Sequence, residues 1–147
     1  MQEINQIIVP VDFSKTTAQL VDYACYMSKQ LSATIHFVHV AEINQGHDML
    51  LGSSVFGDVK EQIIDAAEER MANLLIDNGE RCKGCTGKVV SGDTVDAIID
   101  QANINKADLI IISTHGTKGL EKILLGSIAE RVIKKAPCPT LSYNPYK

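Results

Sequence analysis

Five short apolar runs alternate along the chain with four longer amphipathic stretches, and this alternation limits the chain to few folds. The runs have the length of strands, and the run at 34–40 is apolar almost throughout, as in a sheet covered on both faces. Strands that alternate with helices build a parallel sheet through right-handed crossovers, with helices on both faces. We therefore predict a three-layer α/β sandwich. Its five strands are predicted at Ile7–Val11, Thr34–Val40, Lys88–Val90, Asp108–Ile112 and Thr140–Tyr143.

Helix-start signals precede three of the four amphipathic stretches. Ser14 is predicted to cap the first helix and Asp93 the third, while Ser127 and Glu130 form a capping box for the fourth. The second and longest helix is predicted at 58–78. The segment 41–57 before it is long for a connection inside a compact domain, and a lid, a partner contact and a local mini-core are all open for it.

The length and net charge of the chain indicate its number of domains and exclude some classes of binding partner. The 147 residues predict one domain over 1–147, long enough to bury a core. The formal net charge of -4 argues against a nucleic-acid-binding surface, which needs clustered Lys and Arg. No apolar run approaches the roughly 20 residues that cross a bilayer, and the start of the chain has no signal-peptide pattern. We expect a cytoplasmic protein without membrane or nucleic-acid partners.

Cys82 and Cys85 form a C-x-x-C pair, a spacing that suits zinc binding or thiol chemistry. Structural zinc needs four ligands, however, and no second pair follows. The pair also comes after a predicted helix, whereas a thioredoxin-type pair begins one. We expect these two thiols to face solvent, with zinc or redox chemistry as the alternatives, and Cys25 and Cys138 to be packed.

The segment after the fourth predicted strand is the candidate ligand site, because open parallel sheets bind ligands beyond the carboxyl ends of their strands. The chain lacks both the G-x-G-x-x-G and the P-loop signatures. Gly116 and Gly119 nevertheless let the backbone approach a ligand closely, and Gly126 and Ser127 open a helix whose free amides attract anions. From spacing alone, phosphate binding and a plain turn with a capping box remain equally open.

The spacing of these residues resembles that of the universal stress protein family. Nucleotide-binding members carry G-x-x-G, nine residues, then G-[ST], and here Ser113 to Gly116 is followed by nine residues and by Gly126 and Ser127. The first glycine of that pattern is Ser113 in this chain, whose small hydroxyl could bond a ribose. The resemblance extends over nearly the whole chain. Four further segments stand where the family has them: Ile7–Asp12, Val38–Val40, Ser91–Asp93 and Lys135–Pro139.

The resemblance implies a fold, a ligand and an assembly. The fold is that of the adenine nucleotide alpha hydrolase-like (Rossmann-like) proteins, with strand order 3-2-1-4-5. The ligand is ATP, or ADP or AMP, with Mg²⁺ or Mn²⁺ bridging phosphate oxygens. The assembly is a homodimer that pairs through the last strand, Pro139–Tyr143, an edge that invites such pairing.

The same resemblance implies roles for individual residues. Asp12 would recognise the adenine side of the ligand, helped by the backbone near Pro10 and Val40, although Asp12 alone could also be a helix-start residue. Ribose and α-phosphate would contact Ser113, Thr114, His115 and Gly116. The outer phosphates would meet Thr117, Lys118 and the amides of Gly126, Ser127 and Ile128.

The histidines offer no convincing catalytic group. His115 could donate to a phosphate, but no carboxylate is near it in sequence, so a turn-stabilising role is favoured. His36 and His39 are three residues apart on a strand and are predicted to face opposite sides of the sheet. We therefore expect an ATP-binding stress-response switch with at most slow hydrolysis. The alternatives are a weak ATPase or nucleotidyl transferase using the same pocket, and a nucleotide-free module that binds a protein partner, with Ser113 marking a lost site.

Overall fold

The computed structural model describes residues 2–43, 52–115 and 125–147, and its five strands form one parallel sheet. The strands are β1 (Gln6–Pro10), β2 (Thr34–Ala41), β3 (Thr86–Ser91), β4 (Leu109–Ser113) and β5 (Thr140–Tyr143). The helices are α1 (Thr17–Leu31), α2 (Ser53–Asn78), α3 (Thr94–Ile104) and α4 (Ser127–Lys135). The strand order is β3-β2-β1-β4-β5 and every pairing is parallel, which confirms the predicted α/β fold.

Apolar side chains fill two layers, one on each face of the sheet. Ile7, Val9 and alternate residues of β2 and β4 pack against α1 and α2, whereas Ile8 and its neighbours pack against α3 and α4. Ile7 and Ile8 are both fully buried although they are adjacent in sequence. Burying a side chain of this size stabilises the fold by about 1.5–3 kcal/mol. The alternation of faces explains why the strands read as continuous apolar runs.

The longest helix, α2, begins earlier than its predicted start at 58. It starts at Ser53, directly after Gly52, whose φ of 77° lies in the left-handed region that glycine adopts without strain. Residues 44–51 lie outside the described part of the chain, so the three interpretations of the 41–57 segment stay open. Within the described ranges, no helix is long and apolar enough to cross a membrane.

Two helix starts test the predicted caps. Asp93 caps α3 as predicted, because its Oδ1 accepts a hydrogen bond from the Asp96 amide at 3.0 Å. The prediction for Ser14 was wrong: α1 begins at Thr17, and the residue at the cap position is Thr16. The amide of Ser14 instead donates to Asp12, and its carbonyl accepts from Thr17 at 3.1 Å, so Ser14 belongs to the turn before the helix.

The expectation that Cys82 and Cys85 face solvent was wrong. Cys82 is only 2% exposed and belongs to the core layer beneath α1, and Cys85 is half-buried against the same layer. The chain turns back directly after α2, where the amide of Cys82 donates to the Asn78 carbonyl at 2.9 Å. This return directs the cysteines inward. Cys25 and Cys138 are packed, as expected.

Candidate functional site

A cleft of about 910 Å³ opens at the carboxyl ends of β1, β2 and β4. In the sheet, β2 lies on one side of β1 and β4 on the other. The cleft is therefore at the point where the strand order reverses. The structure brings nine of the twelve predicted site residues together here; the other three, Gly116, Thr117 and Lys118, lie outside the described residues. The nine that line the cleft are Pro10, Asp12, Val40, Ser113, Thr114, His115, Gly126, Ser127 and Ile128.

The turn from β1 to α1 holds Asp12 at the edge of the cleft. Its Oδ1 accepts from the Ser14 amide at 3.0 Å and from the Thr17 hydroxyl at 3.2 Å. The other carboxylate oxygen, Oδ2, makes no hydrogen bond with the described residues. Phe13, between Asp12 and Ser14, has a φ of 56°, a left-handed conformation that costs a non-glycine residue on the order of 1 kcal/mol. Asp12 is therefore both a turn-forming residue and a half-exposed acceptor.

His39 braces this turn, a role that sequence reasoning missed. Its Nδ1 donates to the carbonyl of Val11 at 2.7 Å, which fixes the tautomer, and its ring lies 4.5 Å from that of Phe13. His36 is on the opposite face, where it lies 2.6 Å from the Thr86 hydroxyl, so the prediction of opposite faces is confirmed. Strand alternation gave the face of His39 but could not show that Phe13 returns to meet it.

At the end of β4 a small polar turn buries His115. The Ser113 hydroxyl donates to the His115 carbonyl at 2.8 Å, so its single proton is already used and it can only accept from a ligand. His115 is 3% exposed, with Nδ1 2.7 Å from the Thr114 hydroxyl and its ring edge-on to Tyr146. Its Nε2 has no hydrogen-bond partner among the described residues. A buried nitrogen of this kind is costly unless something bonds to it.

The start of α4 closes the other side of the cleft. The Gly126 amide donates to the Thr114 carbonyl at 2.7 Å, and a Cβ on Gly126 would lie 2.7 Å from that same oxygen. The predicted capping box was wrong: Gly126 is at the cap position, no side chain caps the helix, and Glu130 pairs with Lys134 at 2.9 Å. Because Gly126 must sit against Thr114, Ser127 becomes the first helical residue.

The missing cap leaves backbone donors at the cleft. The first hydrogen bond inside α4 runs from the Glu130 amide to the Gly126 carbonyl at 3.0 Å. The amides of Ser127, Ile128 and Ala129 therefore have no partner within the helix. They carry the positive end of the helix dipole, and all three residues line the cleft. This arrangement suits an anion.

Apart from serines, threonines and histidines, the described side chains of the cleft are apolar or acidic. Leu20, Ile98 and Ile112 supply apolar wall, while Asp12, Glu42 and Glu130 supply the charged groups. Among the described lining residues there is no Lys or Arg, and the described residues hold no group of three metal-binding side chains. An anion here would be bound by backbone amides and His115, and a flat apolar group could lie against the wall.

The fold and this cleft define an α/β protein with an open cleft at the switch point of a parallel sheet. The chain belongs to the Universal stress protein family, whose profile matches residues 3–143. It is 30% identical over 139 residues to the universal stress protein MJ0531 of Methanocaldococcus jannaschii, a match that covers 92% of this chain and 79% of the relative.

Solved structures share the fold at lower identity. Hypothetical protein MJ0577, whose structure served to assign its biochemical function, superposes with a TM-score of 0.82 at 24% identity over 97% of both chains. The universal stress protein UspA from Lactobacillus plantarum gives a TM-score of 0.81 at 19% identity, over 97% of this chain and 99% of that one.

Two further structures were solved with nucleotides. One is a universal stress protein in complex with cAMP, with a TM-score of 0.64 at 19% identity over 98% of this chain and 99% of that chain. The other is a universal stress protein from Archaeoglobus fulgidus in complex with dAMP, with a TM-score of 0.65 at 21% identity, over 96% of this chain and 98% of that chain. Both ligands are adenine nucleotides.

Proposed function

We propose that this protein binds an adenine nucleotide, ATP above all, and acts as a nucleotide-dependent stress-response switch. The observation that carries the proposal is the uncapped start of α4, which lines the same cleft as the turn after β1, at the reversal of strand order. One end of the cleft thus offers donors for phosphate and the other an acceptor for a base or sugar. The nucleotide complexes of two family members support the choice of adenine.

The adenine end of the proposed site is the end near β1 and β2. Oδ2 of Asp12 is available to accept from an amino or hydroxyl group, while Oδ1 keeps the carboxylate in place. Pro10 and Val40 bring strand backbone to the cleft, and Leu20 and Ile98 offer apolar wall to a flat ring. A mostly apolar cleft with a few placed polar groups is the usual form of a small-molecule site.

The phosphate end is the end near α4. The amides of Ser127 and Ile128 are donors that a phosphate oxygen can satisfy. The Nε2 of His115 is a further donor in the tautomer in which Nδ1 accepts from the Thr114 hydroxyl. Gly116, Thr117 and Lys118 belong to the proposal through the motif. A bound Mg²⁺ or Mn²⁺ would be held by the phosphate oxygens of the ligand. Hydrolysis is expected to be slow at most, because the sequence offers no convincing nucleophile or general base for it.

The nucleotide content of the purified protein tests the proposal. One sample of freshly purified protein is denatured, and the small molecules that it releases are separated by chromatography. The Kd for ATP is measured by calorimetry on a second, folded sample from which bound nucleotide has been removed. Ser127→Asp adds a carboxylate at the first position of α4, where the helix tolerates acidic residues, and should weaken ATP binding about tenfold or more through charge repulsion. Ser127→Asn is the matched neutral control. Both variants should bind adenosine equally well.

Gly126→Asp is a poor variant for this purpose, since any side chain at that position meets the Thr114 carbonyl. Equal ATP binding by Ser127→Asp and Ser127→Asn would show that the phosphates do not bind at the start of α4. A protein that carries no nucleotide and binds none on addition would overturn the proposal. The favoured function would then be a nucleotide-free module that binds a protein partner. Ser113, whose hydroxyl bonds within its own turn, replaces the first glycine of the nucleotide-binding pattern.

A further inference from the structure

Three of the four cysteines meet in the core layer beneath α1. Cys25 lies on α1 and is 3% exposed, Cys82 is 2% exposed, and Cys85 is half-buried against the same cluster of side chains. Cys82 shares a core cluster with Cys25, Cys85 packs against that cluster, and Cys82 interacts with both other thiols. All four cysteines are free thiols in the structure. Cys82 is therefore the central sulfur of a row of three.

Polar contacts fix the segment that carries Cys82 and Cys85 against α1. The Arg81 guanidinium forms an ion pair with Asp22 of α1 at 2.6 Å, and its Nε donates to the Asn78 side chain at 2.8 Å. The amide of Cys85 donates to the carbonyl of Cys82 at 3.2 Å, which closes a tight turn between the two cysteines. These contacts link the turn that carries Cys82 and Cys85 to α1.

The contact between Cys25 and Cys82 also changes their chemistry. The hydrogen bond from Cys82 lowers the pKa of Cys25 to about 7, with help from the Arg81 and Lys29 charges and against burial and Asp22. The same contact, together with burial, raises the pKa of Cys82, which keeps it a protonated donor. At neutral pH Cys25 is therefore about half in the thiolate form beside a protonated Cys82, and a thiolate beside a thiol is the arrangement from which disulfide exchange proceeds.

We propose that Cys25, Cys82 and Cys85 form an oxidisable thiol site that reacts with hydrogen peroxide and ends as a disulfide between Cys25 and Cys82. Cys85 reacts first because it is the least buried of the three. Its sulfur attacks one peroxide oxygen, the S–O bond forms as the O–O bond breaks, and the departing hydroxide takes the thiol proton and leaves as water. Cys85 is then a sulfenic acid.

Two exchanges follow. The sulfur of Cys82 attacks that of Cys85, an S–S bond replaces the S–O bond, and hydroxide leaves with the Cys82 proton as a second water. The thiolate of Cys25 then attacks Cys82, and Cys85 departs as a thiolate. In the balance, two thiols lose two hydrogens and one peroxide becomes two waters. The final bridge closes a far longer loop than Cys82–Cys85, so it restrains the unfolded chain more and should stabilise the fold more.

Peptide mapping of the full chain tests the site. Reduced protein is desalted, treated with equimolar hydrogen peroxide, alkylated and digested without reductant. Mass spectrometry should find the Cys25 and Cys82 peptides joined, and the oxidised protein should unfold at a higher Tm that dithiothreitol lowers again. Cross-links that involve Cys138, cross-links between chains alone, or sulfinic acid without any disulfide would each overturn the proposal.

Single Cys→Ser variants separate the three roles. Cys82→Ser should form no internal disulfide, and Cys25→Ser should stop at Cys82–Cys85. Cys85→Ser, at the half-buried position, should form the same final bridge about tenfold or more slowly, because access limits the reaction of buried thiols. Cys138→Ser, on the opposite face of the sheet, is the control and should behave like the parent protein. Unchanged rates in Cys85→Ser would refute its role as the entry point.

Discussion

At the scale of single residues, Gly126 is the position where the cleft depends most on the absence of a side chain. Its φ of -70° and ψ of 159° suit any residue, so backbone conformation does not require glycine. The requirement comes from the Thr114 carbonyl, which would lie 2.7 Å from an added Cβ. Gly126→Ala should therefore lower the free energy of unfolding by about 1–3 kcal/mol, as overpacking does. Urea denaturation of parent and variant measures this loss.

Gly57 supplies the matched control for that measurement. It lies within α2 at an exposed position, and a Cβ there would meet nothing within 4 Å. Gly57→Ala should raise the free energy of unfolding by about 0.5–1 kcal/mol, because alanine loses less backbone entropy in a helix. The substitution of glycine by alanine should thus lower the free energy of unfolding at Gly126 and raise it at Gly57. A stable Gly126→Ala protein would mean that α4 can move away from Thr114.

Residues also mark where reasoning from the sequence fails. The burial of Cys82 depends on how α1 packs over the turn after α2, and no local pattern contains that contact. The same holds for His39, whose partners Val11 and Phe13 come from another strand and its turn. The position of Asp12 at the cleft could be predicted because it follows the first strand, and strand ends are visible in the apolar runs.

At the scale of elements, the starts of α3 and α4 are opposite cases. Asp93 caps α3 through its contact with the Asp96 amide, whereas α4 has no side-chain cap although its sequence reads as a capping box. Asp93→Ala should lower the free energy of unfolding by about 1 kcal/mol, while Ser127→Ala should change it by less than about 0.5 kcal/mol. Chemical denaturation measures both.

Asp93→Asn is the control for the cap itself. It keeps an oxygen for the Asp96 amide and loses only the ion pair with Arg131, which is 3.9 Å long and exposed, and so worth little. A loss of about 1 kcal/mol in Ser127→Ala would instead mean that the capping box forms in solution. The α4 amides would then be less available to a phosphate, which would weaken the proposed site.

The existence of each helix and strand could be predicted where the apolar periodicity is strong. The residue at which an element begins could not be predicted where tertiary packing sets it. The five strands and four helices of the described residues were predicted from the apolar pattern, because residues of β1 and its neighbours are buried alternately on the two faces of the sheet. The start of α2 at Ser53 was missed, since it depends on the left-handed Gly52. The capping box of α4 failed because the contact between Gly126 and Thr114 decides which residue begins the helix.

At the scale of the whole molecule, the strand order came from family resemblance and not from periodicity. The apolar pattern alone gives a parallel sheet, but many orders satisfy it. The observed order brings β1 and β4 together, and with them the two halves of the cleft, Asp12 and the start of α4. The site therefore follows from topology, whereas the roles of its individual residues were predicted through the family resemblance.

The sheet order also makes β5 an edge strand, and we propose that a second copy of the chain pairs with it. Within the sheet, Ile110 donates to Pro139 at 3.0 Å and Thr114 to Tyr143 at 2.9 Å, with Ile112 opposite Ser142. Backbone groups of alternate residues in a strand point to opposite sides. The amides of Thr140 and Ser142 therefore point away from β4, towards the edge at which a partner strand would pair.

Ser142→Pro removes one of those outward amides and leaves the ladder to β4 intact, a position where proline is tolerated in an edge strand. We expect the variant to keep its fold, checked by circular dichroism, and to dissociate to monomers at concentrations where the parent chain is dimeric. Sedimentation equilibrium measures the change. Ser142→Thr keeps the amide and should stay dimeric. A parent chain that is monomeric throughout, or a folded Ser142→Pro variant that dimerises as tightly as the parent, would rule out pairing through β5.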